Sequence, residues 1–324
     1  MRKIKIGVIG VGYLGKFHAR KYAAMPDVEL VGVADVSAAL AGQVAQENKT
    51  AAFTDYRELL RHVEAVSVVV PTPLHHQVAS ACFAAHVDVM LEKPMTVTLA
   101  EADDLIEQAR KDGRILQVGH LERFNPAIVA MQEYLTCPVF IESQRVHSFK
   151  PRGCEVDVVL DLMIHDIDII LNVVPAPLQS IDTIGARVVT PETDVAAAQL
   201  IFENGCTANV SVSRVAHDNV RSLRIYQPGG SLTVNYATKE IMVIERLAGT
   251  TPEGYPNEKI THFCFTEQDA LAAELTDFVQ NVRLRRQPLV SGREGRRALE
   301  VALQIISQIR NHFNRYKDTL CGGS

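Results

Sequence analysis

The sequence predicts an α/β chain in two parts: a doubly wound parallel sheet, then an α+β domain built on a large, open, mainly antiparallel sheet. Three observations carry that prediction. Short apolar runs alternate with helical patterns over the first 120 residues, and a glycine-rich turn, GVGYLG, follows the first run directly. Beyond Gly119 the pattern changes to longer runs punctuated by Asn-Gly and Pro-Gly-Gly turns. Strand–helix alternation indicates parallel βαβ units, whereas runs joined at tight turns indicate hairpins.

In the first part, KIKIGVIG, ELVGVAD, AVSVVVP, DVMLEK and ILQVGH are nearly continuous in apolar residues. Strands buried on both faces by flanking helices require this composition. SAALAGQVAQEN and HHQVASACFAAH are helical segments between them. The helix TLAEADDLIEQARKDG opens with Thr98 and Glu101 at capping-box spacing and closes on Gly113, a C′ residue. The first domain is expected to span 1–120 and the second 121–324. The second opens with a helix near Pro126, followed by VFIESQRVHSF and the segment 161–171. Antiparallel strands are expected between 181 and 265, around turns at Asn204-Gly205 and Pro228-Gly229-Gly230. Two helices end the chain, the second starting at Ser291 with Glu294 at capping-box spacing.

Composition narrows the function. The chain has 324 residues, 47% of them hydrophobic, enough for two cores. A net charge of −5 argues against nucleic acid as a main partner, so any phosphate binding must be local. No apolar run approaches a membrane span, and MRKIKIGVIG reads as a first strand, not a signal peptide. Cys82, Cys137, Cys154, Cys206, Cys264 and Cys321 are dispersed without a CxxC, which indicates neither zinc nor a disulfide framework. Reduced thiols in a cytoplasmic protein are the simplest account.

The chemistry starts at Gly10, Gly12 and Gly15. Gly10 permits the tight turn, Gly12 lets a pyrophosphate approach the backbone, and Gly15 lets helix and strand pack closely. Tyr13 and Leu14 complete this turn, and the helix N-terminus after it presents free N–H groups to an anion. Asp35 ends the second run, 20 residues after Gly15, where a carboxylate accepts hydrogen bonds from ribose hydroxyls. Val36 and Ser37 follow it, and neither can hold a 2′-phosphate, so NAD is expected over NADP. Ligands of doubly wound sheets lie at strand C-terminal ends. There VVVPTPLHH supplies Pro71, Thr72 and His75, and DVMLEKPMT supplies Glu92, Lys93 and Pro94. A lysine beside an oxidised nicotinamide can have its pKa lowered or can hydrogen-bond a substrate hydroxyl; the alternative for Lys93 is a surface lysine before a turn.

The segment DLMIHDIDIIL, Asp161 to Leu171, sets three aspartates and a histidine among Leu, Ile and Met. At helical pitch, Asp161, His165 and Asp168 share a face, which is either a solvated stripe or the wall of a site.

Taken together, GVGYLG, Asp35, PTPLHH, the EKP tripeptide and an aspartate four residues before a histidine resemble the Gfo/Idh/MocA family of NAD(P)-dependent oxidoreductases, over nearly the whole chain. The resemblance implies a Rossmann domain, a second domain whose open sheet mediates a homodimer or homotetramer, and oxidation or reduction of a carbinol carbon. It implies a catalytic group of Lys93, Asp161 and His165, with Glu92 and Pro94 shaping the cofactor side. In that group His165 suits a general base, Lys93 can stabilise a developing alkoxide, and Asp161 can orient either a substrate hydroxyl or the imidazole. No metal is expected. Asp166 and Asp168 are left as structural or solvent residues.

GHLERFNP can contribute Glu122, Arg123 and Asn125 to the substrate site, or be only a domain hinge with a helix start. Arg145, Lys150 and Arg152 form a basic cluster suited to a phosphorylated substrate. This region, followed by VDVVLDLMIHDID, most resembles the branch of the family that oxidises the 3-hydroxyl of UDP-N-acetylglucosamine. That branch implies a pathway aminotransferase acting on the keto product, toward lipid A or surface glycans. Cys154 departs from the expected pattern. Oxidation of a free sugar or a cyclitol such as inositol is the alternative within enzymes. A redox-responsive regulator that binds NAD without turnover is the alternative outside them.

Overall fold

The computed structural model describes residues 2–150 and 156–320. Arg152, Cys154 and Cys321, named above, lie outside the described residues. The chain divides into two compact units, 1–124 with 269–299, and 125–268 with 300–324.

The first unit contains β1 (Ile4–Ile9), α1 (Gly15–Ala24), β2 (Val28–Ala34), α2 (Ala38–Asn48), β3 (Ala51–Phe53), α3 (Tyr56–Leu60), β4 (Ala65–Val68), α4 (His75–Ala84), β5 (Asp88–Glu92), α5 (Leu99–Lys111) and β6 (Leu116–Gly119). Its sheet is parallel, in the order β3-β2-β1-β4-β5-β6. This order reverses direction between β1 and β4, the switch point where doubly wound sheets bind dinucleotides. The edge strand β3 has no counterpart among the apolar runs. It is three residues long with two of them exposed, too short and too wet to show a pattern. Thr98 and Glu101 cap α5 reciprocally, as their spacing predicts, and Gly113 adopts φ +59° just beyond it.

The division departs from the expected boundary at 120. Near the end of the chain, α8 (Ala270–Leu284) and the start of α9 (Gly292–Leu320) belong to the first unit. The physical reason is an apolar face: Leu275, Phe278, Val279 and Val282 of α8 join Ile4, Ile6, Val8, Tyr22 and Val28 in one buried core. Each such side chain contributes about 2 kcal/mol on burial, and no local pattern reveals which sheet a terminal helix will cover. Charged contacts register it: Lys21 with Asp269, and Arg283 with Asp27 at 3.0 Å.

The second unit contains α6 (Pro126–Met131), β7 (Phe140–Val146), a π-helical turn over Val159–Met163, α7 (Ile164–Val173), and then β8 (Leu178–Ala186), β9 (Val195–Phe202), β10 (Thr207–Ser213), β11 (Val220–Gln227), β12 (Gly230–Asn235), β13 (Glu240–Thr250) and β14 (Pro256–Cys264). Its sheet has the order β14-β13-β12-β11-β7-β10-β9-β8 and is antiparallel except where β7 pairs β10. Alternation along the strands separates its faces. Ile141, Ala208, Val210, Leu223 and Ile225 are buried, whereas Glu142, Gln144, Gln199, Asn209 and Arg224 line an open hollow of about 690 Å³ on the other side.

The connection from β8 to β9 wraps around one carboxylate. Asp194 is fully buried and accepts the N–H groups of Val188, Val189 and Thr190 at 2.7–2.8 Å, with the Thr190 hydroxyl at 2.7 Å. Burial opposes its ionisation, but these donors outweigh burial and hold its pKa at about 2. A depressed carboxylate stabilises the fold fully above its unfolded pKa and loses that contribution as pH falls through the folded one. Asp194 is therefore expected to contribute about 2 kcal/mol at pH 7, fading between about pH 4 and pH 2. Asp194→Asn should flatten the acid limb of stability against pH in urea titrations, and an unchanged limb would refute the assignment.

Candidate active site

Every glycine of the GVGYLG turn has a separate job. Gly10 sits at φ +85°, and a Cβ there would lie 2.7 Å from the Val69 carbonyl oxygen. A Cβ on Gly15 would lie 1.9 Å from the Gly10 oxygen, so α1 can start only with glycine. A Cβ on Gly12 would meet nothing within 4 Å. The protein itself does not need a glycine at 12; a ligand approaching the backbone does. Asp35 is aimed at the same turn, accepting the Val11 N–H at 2.9 Å and the Ser37 N–H at 2.9 Å. Tyr13 and Leu14 project outward, 57% and 44% exposed. These residues fit a dinucleotide: a turn with room at Gly12, a helix N-terminus, and a carboxylate beside the turn.

The strand ends beyond the switch point are tied together by His75, the first residue of α4. Its ring nitrogens lie 2.9 Å from the Pro94 carbonyl oxygen and 2.8 Å from that of Val70, linking the segments that leave β5 and β4. Burial lowers its pKa, and the surrounding carbonyls and Glu92 only partly offset that. The sequence expected His75 at the cofactor; in the structure it is 1% exposed, its ring set between the Pro94 and Val70 carbonyls. Pro71 is exposed and Thr72 opens a 3₁₀ turn. Glu92 ends β5, and its carboxylate accepts the Lys93 backbone N–H at 3.2 Å. Burial opposes ionisation of Glu92, yet the His18 ring and the Lys93 charge hold its pKa below the ordinary range. Lys93 is half-buried, and the Lys93–Pro94 peptide is cis.

In the second unit, the expected single helix over 161–171 is a π turn leading into α7. Asp157 starts it by accepting the Val159 N–H at 3.0 Å and the Thr193 hydroxyl at 2.8 Å. Between Val158 and Leu171, every residue is buried except Leu160, Asp161 and His165. The ionisable pair is thus the one polar opening of an otherwise buried segment, and π turns commonly occur at functional sites. The expected stripe stops short, because Asp168 is 3% exposed. Asp166, left as a structural or solvent residue, is fully buried and takes Arg145 in a two-point ion pair at 2.8 and 3.2 Å. Arg145 also lies over the Tyr236 ring at 4.8 Å. The sequence grouped Arg145 with the phosphate-binding cations; its guanidinium is instead committed inside the unit, where it anchors α7 to β7.

The remaining candidates divide between the units. Arg123 is 7% exposed in the 3₁₀ turn Leu121–Phe124, and Glu122 beside it is half-buried. Asn125 caps α6, accepting the Ala127 N–H at 3.2 Å, and donates to the Tyr236 carbonyl oxygen. Lys150 is exposed. Lys93 belongs to the first unit, and Asp161 and His165 to the second. Sequence reasoning missed His18, Tyr22, Ser67 and Glu274, all buried in the first unit near Glu92. Ser67 carried a signal, being the one polar residue within AVSVVVP.

Comparison with known proteins agrees with this architecture. The family described as an oxidoreductase family with an NAD-binding Rossmann fold matches residues 4–120, and the GFO/IDH/MocA C-terminal domain matches 141–233. The chain is 38% identical over 306 residues to UDP-N-acetylglucosamine 3-dehydrogenase of Acidithiobacillus ferrooxidans, covering 94% of this chain and 97% of that one. A solved structure of the Acidithiobacillus ferrooxidans enzyme superposes with a TM-score of 0.91, covering 96% of this chain and 99% of the other. Myo-inositol 2-dehydrogenase of Thermotoga maritima is 26% identical over 317 residues, 91% of this chain and 93% of that protein.

The cofactor turn generates one test. Titrations of the wild type are expected to show NAD binding at least tenfold tighter than NADP, about 1.4 kcal/mol. Gly12→Val should keep stability within about 1 kcal/mol and lose NAD affinity, because only the ligand needs that space. Gly15→Ala should destabilise the protein itself. Equal NAD and NADP affinity, or tight NAD binding by Gly12→Val, would refute this account of the turn.

Proposed function

The chain belongs to the Gfo/Idh/MocA family of oxidoreductases, and from that premise we propose that it oxidises the 3-hydroxyl of UDP-N-acetylglucosamine or a closely related nucleotide sugar, using NAD. The observation that carries the substrate choice is 38% identity across 94% of the chain to an enzyme of that name. The inositol dehydrogenase at 26% supports cyclitol oxidation as the second reading.

In this reading NAD, held by the Gly10–Gly15 turn and Asp35, would supply the acceptor for the hydride of the carbinol carbon. The chain's own residues make that hydride available and hold the products of its loss. His165, one of three residues by which its segment opens, takes the hydroxyl proton, since an alcohol is a poor hydride donor until that proton is leaving. Lys93 donates to the same oxygen and stabilises its developing charge. Asp161, four residues before His165, orients the imidazole or a neighbouring hydroxyl. Arg145 is engaged by Asp166; Arg123, Lys150 and Arg152 are the cations that this reading assigns to a diphosphate.

The product would be a 3-keto sugar, a ketone that an aminotransferase can convert to an amine, and the reading places both steps in the cytoplasm. Among the described residues, no helix is long and apolar enough to cross a membrane. The open hollow on the second unit's sheet is the surface proposed for homo-oligomer formation, and sedimentation at micromolar concentration should then report more than one chain; a strict monomer refutes it.

Lys93→Met and His165→Ala are each expected to lower turnover by about a hundredfold or more while NAD still binds. Asp161→Asn should be milder. The decisive measurement is NADH formation across UDP-N-acetylglucosamine, free hexoses and inositol, run with an aminotransferase or a keto acid to remove products. Turnover of inositol without any turnover of UDP-sugars would overturn the substrate assignment.

A further inference from the structure

The first unit contains a hydrogen-bonded chain that this mechanism does not use. His18 and Tyr22 lie one turn apart on α1, Ser67 is in β4, and Glu92 ends β5. Tyr22 Oη is 2.9 Å from Ser67 Oγ, Ser67 Oγ is 3.1 Å from His18 Nδ1, and His18 Nε2 is 3.2 Å from Glu92 Oε1. Tyr22, Ser67 and His18 are at most 1% exposed.

Hydrogen-bond bookkeeping fixes the direction. Buried hydroxyls almost always donate to something, and the Tyr22 hydroxyl has Ser67 as its acceptor. The Ser67 proton then goes to His18 Nδ1, so that nitrogen carries no proton of its own. The ring proton therefore sits on Nε2 and is donated to Glu92. Each donor is used once, and the chain ends with a neutral imidazole against a carboxylate. A second ring proton on Nδ1 would strand either the Ser67 or the Tyr22 hydroxyl in the interior, which costs about 1–3 kcal/mol.

Several titratable groups surround this carboxylate. Lys93 is next in sequence, and its N–H donates to Oε2 at 3.2 Å. His75 feels the Glu92 charge from α4, and Tyr22 feels it from α1. Glu274 of α8 is fully buried with neither carboxylate oxygen hydrogen-bonded. Burial, then the charges of Glu92 and Asp277, push the pKa of Glu274 well above the ordinary range. Between these two acids, the His18 N–H goes to Glu92.

We propose that His18 is a positioning residue: through Nε2–H it holds Glu92 as a carboxylate next to Lys93 and thereby keeps that lysine an ammonium, so the helix of the cofactor turn sets the state of the lysine. The inference rests on the reading of Lys93 as the group that stabilises the substrate alkoxide. Without that donor, Glu92 is left to desolvation and takes a proton more readily. Lys93 then loses its negative neighbour and gives up its own proton at lower pH.

Two measurements test this. Imidazole ¹⁵N NMR of the wild type at pH 7 should show His18 neutral with its proton on Nε2; an Nδ1–H tautomer or an imidazolium overturns the proposal. In the pH profile of kcat, His18→Leu should move the alkaline limb down by about one unit or more. His18→Gln should restore it, because a neutral amide N–H can still reach Glu92. A His18→Leu protein that binds NAD normally and keeps the wild-type limb overturns the proposal. If His18→Leu does not fold, Ser67→Ala replaces it, and an unchanged His18 tautomer together with an unchanged limb is the refuting result. Lys93→Met separates the layers: its full turnover would sink the catalytic reading itself. An inactive Lys93→Met beside an unmoved His18→Leu limb sinks only this inference.

Discussion

A carboxylate taken out of water at the end of a parallel strand is the constraint on which the rest of the first unit depends. Glu92 has only 13% of its side-chain surface in contact with solvent, and a Cβ on Gly119 would lie 3.0 Å from its carboxyl carbon. Leaving such a charge unpaired would cost several kcal/mol. The neighbouring strands and helices each supply something instead: an imidazole N–H from α1, a backbone N–H and a cation from Lys93, a close approach at Gly119 in β6. These elements meet because a doubly wound sheet brings all its strand C-termini to one edge. The cofactor turn and the lysine share that edge for the same reason.

The second unit solves a related problem by other means. Its segment from Val158 to Leu171 is almost wholly buried, yet it carries three aspartates and a histidine. Asp166 is neutralised internally by Arg145, a pair whose breakage would leave a buried charge at a cost of about 3–5 kcal/mol. Asp161 and His165 stay at the opening. Burial with an internal partner and partial exposure thus occur within one short segment.

The two halves of the chain also differ in how they use polar groups. Asp194 organises a whole strand connection by gathering three backbone N–H groups, a role that requires ionisation and no partner molecule. Glu274 is the opposite case, a buried acid whose carboxyl oxygens make no hydrogen bond and whose pKa burial raises well above the ordinary range. A carboxylate's environment, not its identity, decides whether it builds a loop, tunes a neighbour or faces a substrate.

Much of this was legible in the sequence. GVGYLG after an apolar run determined the turn, because only glycine meets the steric demands at Gly10 and Gly15. Capping pairs fixed the start of α5, and the Asn204-Gly205 and Pro228-Gly229-Gly230 turns marked where strands of the second sheet reverse. These are local rules, and the residues that obey them are neighbours in the chain. What only the tertiary structure decided depends on partners far apart in sequence. Arg145 looked like a phosphate ligand until Asp166 was placed against it, 21 residues later. Helix α8 looked like part of the second domain until its apolar face met β1, β2 and α1. His18 and Ser67, 49 residues apart, carried no joint signal at all. Pattern along a chain reports which side chains need burial or a partner; it does not report which partner the folded chain will bring.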